Sequence, residues 1–158
     1  MKEKNTIAAY SMIGGINEIK NRLMGAIQYY QKALEVSSLE LYPKLYALIQ
    51  NNLGLAYVKL SSITDPKENL MRAIEAYQEA LKIRTKETNP VKYFLLQKAI
   101  GDAYYDMSLI EDKDTNLLKS LDAYQKFLEI EAEINGYLYI QTLCQEVKNK
   151  IKMTKRGE

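Results

Sequence analysis

The stretch Asn51-Asn52-Leu53-Gly54-Leu55-Ala56-Tyr57 returns 47 residues later, in altered form, as Lys98-Ala99-Ile100-Gly101-Asp102-Ala103-Tyr104. Each copy is followed by a second segment of one kind. Ala73-Ile74-Glu75-Ala76-Tyr77-Gln78-Glu79-Ala80-Leu81 answers the first, and Ser120-Leu121-Asp122-Ala123-Tyr124-Gln125-Lys126-Phe127-Leu128 answers the second. Ala26-Ile27-Gln28-Tyr29-Tyr30-Gln31-Lys32-Ala33-Leu34 precedes both at the same offset. Between residues 43–89 and 90–136, 17 of 47 positions are identical, and Leu53 to Ile100 or Arg72 to Lys119 are conservative changes. So regular a register exceeds what shared helical composition produces and marks a repeat array.

Worked outward from that stretch, the chain reads as helices throughout. Residues 3–14 form a helix that aligns Asn5, Ala9 and Tyr10 with Asn52, Ala56 and Tyr57, a shortened first member of the series. Gly14-Gly15 is expected to break it, and Leu23, Met24, Ile27, Tyr30 and Leu34 then recur at helical spacing to about residue 37. Pro43 begins the next helix, where its missing N–H costs nothing. Leu45, Leu48, Ile49, Leu53, Ala56, Tyr57 and Leu60 make one broad apolar stripe along it. Asp65 is the expected N-cap of the helix opened by Pro66 and carried by Leu70, Ile74, Tyr77 and Leu81. Pro90, Tyr93, Gln97, Asp112, Asn116 and Leu117 repeat this grammar.

The expected architecture is all-α, with one domain over 1–158 built as a right-handed α-solenoid of antiparallel hairpins. Repeat 1 covers about 3–42, repeat 2 about 43–89 and repeat 3 about 90–136. A capping helix at about 137–153 and a basic tail at 154–158 complete seven helices. Units of this kind cannot bury their apolar faces alone, so stability comes from stacking.

Composition narrows the function. With 158 residues, 47% hydrophobic and 27% charged, the chain is sized for one folded domain. Twenty-two Lys+Arg against 20 Asp+Glu leave +2, too little to draw nucleic acid or anionic membrane. There is no histidine, which removes the commonest general base and zinc ligand, and Cys144 therefore has no imidazole to activate it. Cys144 reads as a small buried hydrophobe, and a lone cysteine fits a reducing, cytoplasmic setting. No apolar run reaches the roughly 20 residues of a membrane span. No catalytic, metal or cofactor site is expected. The partner is expected to be a protein or peptide, with no nucleic acid and no membrane.

At this point the residues resemble the tetratricopeptide repeat family, whose signature runs Trp-x2-Leu-Gly-x2-Tyr and then Ala-x3-Phe. Here it appears as Gln50-x2-Leu53-Gly54-x2-Tyr57 and Gln97-x2-Ile100-Gly101-x2-Tyr104, followed by Ala73-x3-Tyr77 and Ser120-x3-Tyr124, with Ala26-x3-Tyr30 upstream. Gln replaces Trp, and the 47-residue period exceeds the family's usual length of about 34, as in its long-repeat subgroup. The resemblance covers about residues 3–153. It implies a concave groove lined by the first helix of each hairpin, on which Asn51, Leu55, Val58, Lys59, Lys98, Asp102, Tyr105 and Asp106 would fall, with Leu48 and Leu95 at the edge. The resemblance also implies a non-catalytic scaffold or adaptor that holds a peptide in that groove. Binding to the acidic tails of chaperones is not expected, because Ala8, Leu95 and Ala99 stand where the family's clamp needs Asn, Lys and Arg.

The same charged residues have a plainer reading as a solvated face, with Lys98 and Asp102 attractive and Asp102 and Asp106 repulsive at i, i+4. Tyr30, Tyr77 and Tyr124 are expected in the core, whereas Tyr105 is the aromatic best placed to anchor a partner. A structural module that self-associates by end-to-end stacking, a homo-oligomer, is the alternative function.

Overall fold

The computed structural model describes the backbone of residues 2–134, 142, 144–149 and 152. Five helices are bounded within it: α1 Lys2–Val36, α2 Pro43–Ser61, α3 Pro66–Leu81, α4 Pro90–Ser108 and α5 Lys113–Ile134. Residues 144–149 are helical as well, and there is no strand among the described residues. Most of the expected capping helix, including Lys150, lies outside the described residues, as does the tail at 154–158. Each bounded helix packs on its neighbour in sequence, most extensively α2 on α3 and α4 on α5.

The 47-residue period is visible in the atoms. Pro43 and Pro90 open α2 and α4, each 19 residues long. Asn89 also caps α4, its Oδ1 accepting the Lys92 N–H at 3.1 Å. After each of these helices the chain turns by one device. Asp65 and Asp112 take left-handed backbone angles, φ 44° and 41°. Asn69 Nδ2 then donates to the Thr64 carbonyl at 2.7 Å and Asn116 Nδ2 to the Glu111 carbonyl at 2.8 Å. Both asparagines are buried, so these bonds satisfy amides that would otherwise be costly. Asp65 stands at the expected N-cap position of α3, but its side chain caps no backbone N–H. An N-cap residue ordinarily has β-region angles that aim its oxygen at the first turn. In its left-handed conformation Asp65 instead accepts a bond from its neighbour Thr64, Oγ1 to Oδ2 at 2.9 Å.

Two glycines decide how closely each hairpin closes. A Cβ built on Gly54 would fall onto the Tyr77 ring, 2.6 Å from Cδ1 and 2.8 Å from Cζ; one on Gly101 would lie 2.6 Å from Cδ1 and Cε1 of Tyr124. The missing side chains are the space into which the two tyrosines fit. Tyr77 and Tyr124 are 4% and 2% exposed, as core residues should be. Ser120, where repeat 2 has Ala73, is wholly buried because its Oγ donates to the Gly101 carbonyl at 2.9 Å.

The core is continuous across elements. One cluster joins Ile27 of α1, Leu53, Ala56 and Tyr57 of α2, Ala73 and Tyr77 of α3, Leu96 and Ile100 of α4 and Ala123 of α5. A second lies under α5, where Leu117, Tyr124 and Phe127 meet Cys144 and Val147. Phe94 there meets Phe127 edge-on, with centroids 5.2 Å apart. Cys144 is buried, as read from the sequence, and desolvation pushes its thiol pKa up. Leu70, Ile74, Ala103 and Met107 close the seam between α3 and α4.

Two expectations need correction. Gly14-Gly15 does not break the chain, because α1 runs through it as one helix of 35 residues. The first hairpin is a single helix, which removes one helix from the expected seven. The devices that turn the chain in the later copies are absent here. Glu18, Ile19 and Arg22 occupy the positions of Asp65, Pro66 and Asn69. Glu18 and Arg22 instead form an i, i+4 ion pair at 2.6 Å that suits a helix. Two glycines weaken a helix by roughly 1 kcal/mol each without ending it. The second correction concerns α2. Leu45, read as part of its apolar stripe, is 45% exposed, while Ile49, Leu53, Ala56, Tyr57 and Leu60 are buried; Leu48, also in the stripe but read at the edge of the binding face, is 47% exposed.

Candidate interaction site

The outward sides of α2 and α4 carry the eight residues read as a binding face. Leu55 is exposed, as are Lys59 and Asp106, while Asn51, Val58, Lys98, Asp102 and Tyr105 are half-buried. Asn51 Nδ2 lies 3.5 Å from Asn52 Oδ1. Val58 packs against the main core cluster. Tyr105, expected to stand out as an anchor, packs against the cluster of Leu117, Tyr124 and Phe127, so only part of its ring faces outward.

The polar half of the set is tied into a network. Lys98 Nζ reaches Asp102 Oδ2 at 2.7 Å, the i, i+4 pair read from the sequence. The other oxygen of Asp102, Oδ1, accepts the Tyr124 hydroxyl at 2.8 Å. Asp102 is thus a structural acceptor that holds a buried tyrosine of α5. Its charge, after the larger effect of burial, also raises the phenol pKa of Tyr77, to about 12. Partial desolvation and then the repulsion of Asp102 push the Asp106 carboxyl up from its ordinary value.

Leu48 and Leu95, read at the edge of the face, are exposed, and Leu41, Leu45 and Val91, which were not read as part of it, are exposed as well. Leu41, Leu48 and Leu55 stand seven residues apart and are 72%, 47% and 47% exposed, with Leu45 between them. Val91 and Leu95 of α4 are exposed to the same degree. Leu41 lies in the turn before α2, while Leu45, Leu48 and Leu55 share one side of the helix at spacings of three and seven.

A different concavity was missed altogether. Between α3 and α5 lie two clefts of about 310 and 450 Å³, which share Gln78, Tyr104 and Lys119 in their walls. None of the eight residues lines either one. Lys119 Nζ sits 5.3 Å from the Tyr104 ring centroid, and Arg72 sits 5.8 Å from that of Tyr57, one period earlier. Arg72 and Lys119, one period apart, thus make the same kind of contact with the corresponding tyrosine. Each is worth roughly 0.5–1 kcal/mol at an exposed site. Gln31 Nε2 donates to the Tyr57 hydroxyl at 3.2 Å, fastening α1 to α2.

No group of three or more Cys, Asp or Glu among the described residues could hold a metal ion. No helix among them is long and apolar enough to cross a membrane. Comparison with family models, with curated proteins and with solved structures gives no match.

Proposed function

We propose that this chain is a non-catalytic scaffold of the tetratricopeptide type, a right-handed stack of helical hairpins that binds a peptide or partner protein on the outer face of α2 and α4. One observation carries the reading: Leu45, Leu48 and Leu55 are exposed along α2, with Leu41 exposed in the turn before it, on a helix whose opposite face is buried. Contiguous exposed apolar surface of that kind marks interaction sites on folded proteins. Val91 and Leu95 extend it, and Lys98, Asp102 and Asp106 border it with charge that selects register more than it adds affinity. The ligand that fits is an amphipathic segment with apolar residues to set on the leucines. A cytoplasmic setting agrees with the lone buried thiol.

The test is affinity capture from native lysate with the wild type and with Leu55→Glu combined with Lys98→Glu. Both positions are partly or largely exposed, so helicity should hold while the captured partner is lost. Retention of that partner by the double variant, with helicity unchanged, rules out this face.

A further inference from the structure

Gln50 and Gln97 stand at the same place in the repeat and are buried alike, at 8% and 7% exposure, yet only the first has a partner. The Gln50 amide meets the Tyr46 hydroxyl, which in turn donates to Glu79 Oε2 at 2.8 Å. One period on, Tyr93 and Gln97 keep their identities while Lys126 takes the place of Glu79. Lys126 offers the phenol no acceptor and turns to Asp122 Oδ2, 2.6 Å away. Among the described residues, Gln97 is left without a hydrogen bond. An amide buried to this degree ordinarily finds a partner, because leaving its donor and acceptor unused is costly.

Gln97 lines the larger of the two clefts between α3 and α5. The clefts form one trough, since Gln78, Tyr104 and Lys119 border both. Its floor is the α4 line Gln97, Ile100, Tyr104 and Met107, set at the three- and four-residue steps of one helix side. From Gln97 to Met107 that floor runs about 15 Å. The end at Gln97 is apolar, with Leu81, Ile100 and Ala123 in its walls. Toward the other end the charges are unequal. Lys67 holds Glu111 at 2.5 Å and Lys119 lies over Tyr104, whereas Glu75 and Asp112 form no ion pair among the described residues.

A peptide amide carries the donor and the acceptor that one carboxamide can pair with at once. Inside a helix those main-chain groups are already engaged with one another, so a ligand that answers Gln97 with its main chain is extended there. At about 3.3 Å per residue, the trough takes four to five residues. We infer that the trough between α3 and α5 is a second binding site for an extended segment of another protein, with one main-chain amide paired to Gln97, an apolar side chain on Leu81, Ile100 and Ala123, and a lysine or arginine directed to Glu75 and Asp112. This goes beyond the reading above and does not depend on it, because the trough shares no residue with the outer face of α2 and α4.

Selection of end-capped random pentapeptides against the full chain tests the site. Enriched members should carry Lys or Arg two positions from an apolar residue, and N-methylation of one main-chain amide should weaken them about tenfold. Gln97→Leu should weaken binding by the same factor and make that N-methylation harmless. Gln78→Trp, at an exposed position on the rim, should block the trough and abolish binding. Because Gln97 bonds nothing in the chain, Gln97→Leu should hold or raise the melting temperature, whereas Gln50→Leu should lower it. Selection without enrichment overturns the proposal, as does binding indifferent to Gln97→Leu or to Gln78→Trp. Equal falls in melting temperature for Gln97→Leu and Gln50→Leu would mean that the amide serves the fold, which also overturns it. Peptides lost with Leu55→Glu and kept with Gln97→Leu would sit on the outer face and overturn the trough alone.

Discussion

The same substitution, glycine to alanine, should have opposite signs at two places in this chain. Gly25 lies inside α1 with open space where its Cβ would go. Adding a methyl there removes backbone freedom from the unfolded chain and should stabilise by roughly 0.5–1 kcal/mol. Gly54 lies inside α2, where the same entropic gain applies. Its Cβ, however, would arrive 2.6 Å from Tyr77 Cδ1 and closer still to Cε1. Real contacts of that kind open to about 4 Å, so the ring or the helix must move by more than an ångström. Tyr77 is 4% exposed and has nowhere to go.

Overpacking of a well-packed core by one methyl costs about 1–3 kcal/mol. Set against the helix gain, Gly54→Ala should destabilise by about 1 kcal/mol, and the two variants should differ by about 2 kcal/mol, up to a thirtyfold difference in the folded-to-unfolded ratio. Urea denaturation of both variants, with unchanged m-values, reads this directly. Tyr77→Leu provides the control: in that background Gly54→Ala should turn favourable, since the obstructing ring is gone, and a double-mutant cycle should show coupling of more than 0.5 kcal/mol. Equal stabilisation by Gly25→Ala and Gly54→Ala would refute the claim that the glycine is there to admit the tyrosine.

Two further outcomes follow from the same geometry. Burial and Asp102 hold the Tyr77 phenol up at about 12, against 10.0 for an ordinary tyrosine; below pH 10 it is neutral in both states, and between pH 10 and 12 only the unfolded chain ionises. Stability should therefore be complete below pH 10 and fall by about 1.4 kcal/mol per pH unit for this group as pH rises to 12, and Tyr77→Phe should flatten that slope in denaturation curves at pH 9 to 11. Asn69→Ala and Asn116→Ala each remove the amide that closes a left-handed turn and should cost about 1–2 kcal/mol apiece, additive within a few tenths of a kcal/mol in the double variant because the sites do not touch; a loss at one site alone would show that the two turns are not equivalent.

What could be read in advance was whatever had to recur. Gly54 with Tyr77, Gly101 with Tyr124 and the buried Cys144 follow from local pattern and composition, because each is a packing requirement stated by residue type. The continuity of α1 was harder to see. A glycine pair signals a break only where a turn is also supplied, and the residues that supply it at 65 and 69 are replaced by Glu18 and Arg22. Leu45 was grouped in one stripe with the residues that are buried because apolar residues on neighbouring faces of one helix cannot be separated by periodicity alone. The bond from Tyr124 to Asp102 joins residues 22 apart on two helices. The cation–π contacts join 57 to 72 and 104 to 119. Such pairings depend on how one helix lies against the next, and helical spacing does not specify that.

The two copies differ most informatively at positions 55 and 102, which occupy the same place in the repeat. In the first, Leu55 leaves nearly half its surface in water. In the second, Asp102 spends one oxygen on Tyr124 and the other on Lys98. Truncating Asp102 would unseat a buried tyrosine, so a loss of partner binding in such a variant could not be told from a loss of fold. Leu55 has no such duty. A face built this way has an apolar end on α2 that is free to be recognised and a polar end on α4 already engaged in holding the hairpin shut. Recognition by this surface should therefore depend on the leucines, and charge reversal at Lys98 should act chiefly by releasing Asp102 from its pair. Leu55→Glu with Lys98 intact is the cleaner probe of the two: an unaltered partner affinity in that single variant would shift the search for the binding surface to the clefts between α3 and α5.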